Sequence, residues 1–292
     1  MDEATRLLAP LRIDAGSLRF DCSSEWLEEH LGRFSVCGVR LADGVEDQAY
    51  DYAEDAVVPT DPVPLRPAHL PLLAGFLAGP LTPPGLCVGF AEVVLDREPM
   101  PEILAEARRP AFRPHDGTVR TLAGHRGRLV GLLSAEPGMR TTTRMDARIS
   151  QYSEYFPGKL VGMHYDNVLT DRGEGERFSR SVRAQLSDRR GLCNIGPGDR
   201  LLVLGLNMTA LQLSDRLRPG DGEHVPDTRQ LRTLLRNEPS EATGIVCLVV
   251  RLAPGEMAVF PAGNSLHDGS MTGCRLPSEA VVIAGRFPRL RR

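Results

Sequence analysis

Aromatic residues are scarce in this 292-residue chain, at 5% with a single tryptophan. Lysine is scarcer still: 34 of the 35 basic residues are arginine, and Lys159 stands alone. That skew fits a GC-rich coding sequence better than a function. An excess of one charge is also missing. The formal net charge is −3 and the pI is near 6.2, which excludes a broad nucleic-acid footprint. No stretch approaches the roughly 18 consecutive apolar residues of a membrane span. The opening MDEATRLLAPLRIDAG has early acidic residues and no apolar h-region, so it does not read as a secretory signal peptide. The six cysteines (Cys22, Cys37, Cys87, Cys193, Cys247 and Cys274) are too widely spaced for a CxxC zinc or redox motif. Several sit among apolar neighbours and are expected to be free and buried. Gly196-Pro197-Gly198 lacks the spacing of a phosphate loop, and no Gly-x-Ser-x-Gly elbow is present. What remains is a soluble cytoplasmic protein, with no nucleic-acid or membrane partner expected.

Hydrophobic residues make up 41% and charged residues 25% of the chain, the ordinary globular mixture. Its length corresponds to about two domains as a prior, or to one elaborated β domain. Residues 1 to about 60 carry mixed signals, including a short helix through Glu25–Leu31 capped by Ser23 or Ser24 and ended by Gly32. Residues 57–85 are rich in proline and apolar, which suggests extended chain lying over a core, with a short helix at 69–77. A strand is expected at 85–97 and a helix at Glu102–Arg109.

From 140 onward short β-branched runs alternate with glycine and proline. Eight strands are read at 140–152, 158–166, 190–195, 200–206, 243–252, 256–260, 265–271 and 279–287. Eight is the number a double-sheet jelly roll needs. The polar segment 207–241 interrupts them, with helical pieces at 208–217 and 227–237. The expected organisation is a mostly β protein with flanking helices. Residues 1–135 form an N-terminal α/β region wrapping the core. Residues 136–292 form the core, with a lid inserted at about 207–241.

His164 has an acidic residue two positions on, giving His164-Tyr165-Asp166. On a strand, side chains i and i+2 leave from the same face, so both can ligate one metal ion. The motif lies at the exit of the second strand, and His267 lies near the start of the seventh. In a jelly roll these two strands are antiparallel neighbours, which brings His164, Asp166 and His267 to one rim. Two histidines and one carboxylate leave about three coordination positions open, the pattern of non-heme Fe(II) oxygenases. Other readings exist. Asp166-Asn167 can open a turn, and Asp268-Gly269 can form a hairpin turn that puts His267 beside a loop. His224, in the polar segment, is a rival third ligand.

This layout resembles the Fe(II)/2-oxoglutarate-dependent dioxygenase superfamily over about residues 140–287. The resemblance implies a double-stranded β-helix (jelly-roll or cupin-like) core. It implies Fe(II) on His164, Asp166 and His267, and 2-oxoglutarate as co-substrate with dioxygen. It also implies an arginine on or just before the eighth strand that pairs with the far carboxylate of 2-oxoglutarate, since guanidinium matches carboxylate in a bidentate way. Arg286 ends an alternating face of Ala280, Val282 and Ala284, and Arg275 lies eight residues after His267. Arg286 is the first choice and Arg275 the second. The implied reaction gives succinate and carbon dioxide while a small polar metabolite is hydroxylated or desaturated. That metabolite would be an amino acid or a natural-product intermediate. Asp166, rather than a small residue, implies oxygenation and not halogenation. Two other functions fit the same residues: a cupin-like iron oxidase that uses no 2-oxoglutarate, and a non-catalytic β-sandwich binding module.

Overall fold

The computed structural model describes residues 1–13, 17–42, 52–92, 147–152, 160–165, 189–194, 198–209, 212, 237, 244–270 and 278–285. The N-terminal elements are α1 (Glu3–Leu8), β1 (Arg19–Phe20), α2 (Ser24–Glu29), β2 (Phe34–Cys37), β3 (Val39–Leu41), β4 (Tyr52–Pro59), β5 (Val63–Pro64), α3 (Leu70–Ala74) and β6 (Cys87–Glu92). The remaining strands are β7 (Ala147–Tyr152), β8 (Leu160–Gly162), β9 (Arg189–Asn194), β10 (Arg200–Thr209), β11 (Cys247–Leu252), β12 (Glu256–Phe260), β13 (Ser265–Ser270) and β14 (Ser278–Gly285). These eight fall on the eight strands expected from the sequence. The helix expected at 208–217 gives way at its start to strand, because β10 continues to Thr209. Asn207 secures that extension, its amide bonding the Gly244 carbonyl and the Val246 N–H at 3.1 and 3.0 Å. The rest of the expected lid (bar Gln212 and Asn237), its two helical pieces and the helix at 102–109 lie outside the described residues.

Strand order identifies the fold. One sheet runs β1-β6-β12-β9-β14-β7 and another β13-β10-β11-β2-β5. The chain just past β8 joins the second sheet through an antiparallel bridge between His164 and His267. Numbering the last eight strands one to eight, the first sheet holds one, eight, three and six, and the second holds seven, four and five, with the chain leaving strand two bridged onto seven. That interleaving is the double-stranded β-helix. The N-terminal strands extend both sheets, β6 beside β12 and β2 beside β11.

Alternation sorts the side chains into two layers. Leu192, Leu202, Leu204, Leu206, Leu248, Val250, Ala258, Phe260 and Ala280 face inward between the sheets. They share that core with Leu8, Leu27, Phe34 and Leu73 of the N-terminal region. Leu201, Val203, Cys247, Val249 and Leu266 face the other way. They pack under a third sheet, β3-β4-β8, against Val39, Val57, Met163 and Tyr165. Cys37, Cys87, Cys193 and Cys247 are free and buried, as their apolar neighbours suggest, and Cys22 is free and half-buried.

Gly162 is the corner at which the chain leaves the third sheet for the second. Its φ is +72°, and an added Cβ would lie 2.5 Å from the Val57 carbonyl oxygen and 2.9 Å from Ala56 Cβ. Only glycine tolerates both the left-handed backbone and the close approach. Gly162→Ala is expected to cost about 3 kcal/mol of stability. Urea denaturation of the two proteins measures the difference.

Candidate metal centre

His164 and His267 meet as a hydrogen-bonded antiparallel pair. The His164 N–H donates to the His267 carbonyl at 2.9 Å, and the His267 N–H donates to the His164 carbonyl at 2.7 Å. Such a pair puts the two side chains on the same face of the sheet. That face is the inner one, because the neighbours Met163, Tyr165 and Leu266 belong to the outer layer. The imidazole centroids are 4.4 Å apart with the rings inclined by 47°. Phe260 stands edge-to-face against His267 at 5.1 Å.

The same local device orients both rings. Nδ1 of His164 lies 2.7 Å from the Gly162 carbonyl, and Nδ1 of His267 lies 2.9 Å from the Ser265 carbonyl. A carbonyl only accepts, so each Nδ1 carries the proton and donates it. In the neutral ring Nε2 then keeps its lone pair, the form in which imidazole binds a metal. Burial is the main force that holds His267 well below the ordinary histidine range. The positive charges of His164 and Arg190 push the same way, and the Ser265 carbonyl opposes them. A neutral His267 needs no deprotonation to accept a divalent cation.

The far side of β13 carries a second buried polar group. Asp268 is 2% exposed. It accepts from the Tyr52 hydroxyl at 3.0 Å and from the Gly269 N–H at 2.8 Å. Burial raises its pKa to about 7, against the lowering effects of Tyr52, Gly269 and Arg200. Asp268 and Gly269 therefore sit within a strand, and the hairpin turn that their sequence permits is not formed. The reason is pairing: Asp268 and Gly269 are in register with Val203 and Leu202 of β10.

Of the residues singled out in the sequence, the structure brings His164 and His267 together. Asp166, Arg275, Arg286 and His224 lie outside the described residues. Among the described residues no group of three or more His, Cys, Asp or Glu side chains is placed to hold a metal. The pair nonetheless fits a metal through its donor chemistry: two imidazoles held by Nδ1, adjacent on one inner face.

No family model matches the chain, and no curated protein matches it. Among solved structures it is similar to the Kdo hydroxylase KdoO, a non-heme Fe(II) alphaketoglutarate dependent dioxygenase, in complex with succinate and Fe(III). That likeness has 11% identity and a TM-score of 0.40, over 68% of this chain and 79% of the other. It is also similar to an N-substituted L-amino acid dioxygenase from Burkholderia ambifaria AMMD in complex with alpha-KG. There the identity is 14% and the TM-score 0.36, over 86% of this chain and 93% of the other. The fold stands on the strand order and not on these scores. No helix among the described residues is long and apolar enough to cross a membrane.

His267 and Asp268 give stability opposite pH dependences. Below about pH 6.5 the unfolded chain protonates His267 and the folded one does not, so acidification destabilises. Asp268 keeps its proton up to about pH 7 when folded and loses it above 3.8 when unfolded, so stability falls as pH rises between those values. In the window from 4 to 6.5 the two effects oppose each other. Asp268→Asn removes one of them. It is expected to steepen the loss of stability on acidification from pH 6.5 to 5, by up to about 1 kcal/mol per pH unit. Denaturation midpoints at pH 5, 6 and 7 provide the measurement.

Proposed function

We propose that this chain is a non-heme Fe(II)/2-oxoglutarate-dependent oxygenase that oxidises a small polar metabolite. The observation that carries the reading is the paired, tautomer-locked imidazoles of His164 and His267 on the inner face of a double-stranded β-helix. Asp166, two residues past His164 in sequence, supplies the carboxylate of the ligand set. Arg286, or Arg275 in its place, pairs with the far carboxylate of 2-oxoglutarate.

Fe(II), when held by these residues, supplies the activation of dioxygen that couples decarboxylation of 2-oxoglutarate to oxidation of the substrate. The chain's own residues do the rest. The Gly162 and Ser265 carbonyls hold each ring by Nδ1, which leaves Nε2 as the metal-binding atom. Phe260 packs on His267, and the inward leucines of β10 belong to the same apolar interior. Residues 207–241 serve as the lid, and residues 1–135 wrap the barrel and shape the substrate's approach. An amino acid or natural-product intermediate fits a chamber of this class.

Purified protein should take up one Fe(II). Anaerobic addition of 2-oxoglutarate should then give a weak visible charge-transfer band. Asp166→Ala and His267→Ala should abolish the band and weaken metal binding by at least about 100-fold. With a substrate present, succinate should accumulate. Stoichiometric iron without any band would sink the 2-oxoglutarate reading, and failure to bind metal would sink the oxygenase.

A further inference from the structure

Cys247 of β11 is in register with Cys37, the last residue of β2. Among the described residues no other two cysteines are strand partners. Cys87 is opposite Arg19, and Cys193 is opposite Met257 and Val281. The Leu206 N–H donates to the Val246 carbonyl. Val246, Leu248 and Val250 therefore bond to β10, and Cys247 turns its main chain to Cys37. The Cα atoms of such a pair lie about 5.5 Å apart, within the span that a disulfide bridges. Directly opposite residues also share a face of the sheet. Both cysteines belong to the outer layer and are 0% exposed, and their thiols share a hydrogen bond.

We propose that Cys37 and Cys247 are a reversible redox pair, closing to a cross-strand disulfide that fastens the N-terminal region to the barrel. Two S–H bonds break and one S–S bond forms. A low-molecular-weight disulfide takes both electrons and both protons and leaves as two thiols, by way of a mixed disulfide on one cysteine. Reversibility follows from the spacing. Opposed Cβ atoms in a hydrogen-bonded pair sit toward the long end of about 4.5–5.5 Å, whereas a disulfide holds them about 3.8 Å apart. Closure draws the strands together, and a strained bridge is readily reduced. The hydrogen bond to Cys37, burial and the Asp268 charge hold the Cys247 thiol well above the ordinary range. It is therefore protonated and sealed while β2 stays docked. The end of β2 is the place to open. β5 pairs with β2 at Ser35 and Val36 and stops short of Cys37, and past Gly38 the chain enters the third sheet. Lifting one strand end costs less than unfolding the domain. Under reducing conditions the pair rests as thiols, and oxidation locks β2 in place.

The test uses the full-length protein without added metal, unfolded in urea and refolded through buffers of set glutathione to glutathione-disulfide ratio. Native protein held in urea below its unfolding transition receives the same treatment, so the result does not hang on refolding. Intact mass counts the thiols, and non-reducing peptide mapping identifies the bridge. The expected product is native protein that has lost two hydrogens, with Cys37 joined to Cys247. Its urea midpoint lies above that of the reduced protein, because the bridge closes a loop of about 210 residues in the unfolded chain. Dithiothreitol returns the mass and the midpoint to their reduced values. Cys37→Ser and Cys247→Ser each abolish the mass loss, and Cys193→Ser keeps it. Where a serine variant does not fold, the alanine variant carries the comparison. Native protein that keeps both thiols at the most oxidising ratio overturns the proposal. So does a bridge from either residue to another cysteine, or a Cys37–Cys247 bridge that lowers the midpoint.

Discussion

The reciprocal hydrogen bonds between the main chains of His164 and His267 are the constraint on which the site depends. They join the second and seventh strands of the β-helix at one point and leave the two imidazoles no choice of face. A register slip of one residue on either strand would turn a histidine into the outer layer and bring Leu266 or Met163 inward. The outer layer resists that slip. Leu266, Met163 and Tyr165 are each at most 2% exposed, packed under the third sheet. The apolar packing on the back of the sheet thus fixes which face the two histidines share.

The two sides of β13 show how a strand separates roles that lie one residue apart. His267 faces inward and is kept neutral by burial. Asp268 faces outward and is tied to Tyr52, 216 residues earlier in the chain. Both are buried ionisable groups, on opposite faces of one strand.

Much of this was legible beforehand, for identifiable reasons. Strand-forming runs such as 247–252 and 256–260 are β-branched or apolar and end at Pro254-Gly255 and Pro261, so local chemistry suffices to mark them. The meeting of His164 with His267 followed from strand order alone. What escaped notice depended on partners far along the chain. Asp268-Gly269 carries a turn signature, and only pairing with β10 overrides it. Gly162 stands before a motif without announcing that it must turn a corner. Asp166, Arg275 and Arg286 lie outside the described residues.

The N-terminal strands β6 and β2 sit against β12 and β11, the outermost members of the eight-strand core. Without them both sheets would end in open rows of amide and carbonyl groups beside exposed leucine and phenylalanine, the usual template for fibrous self-association. The barrel is therefore not a cassette that can be cut out and moved. Any shuffling of this sequence must carry its first ninety or so residues as a bonded selvage.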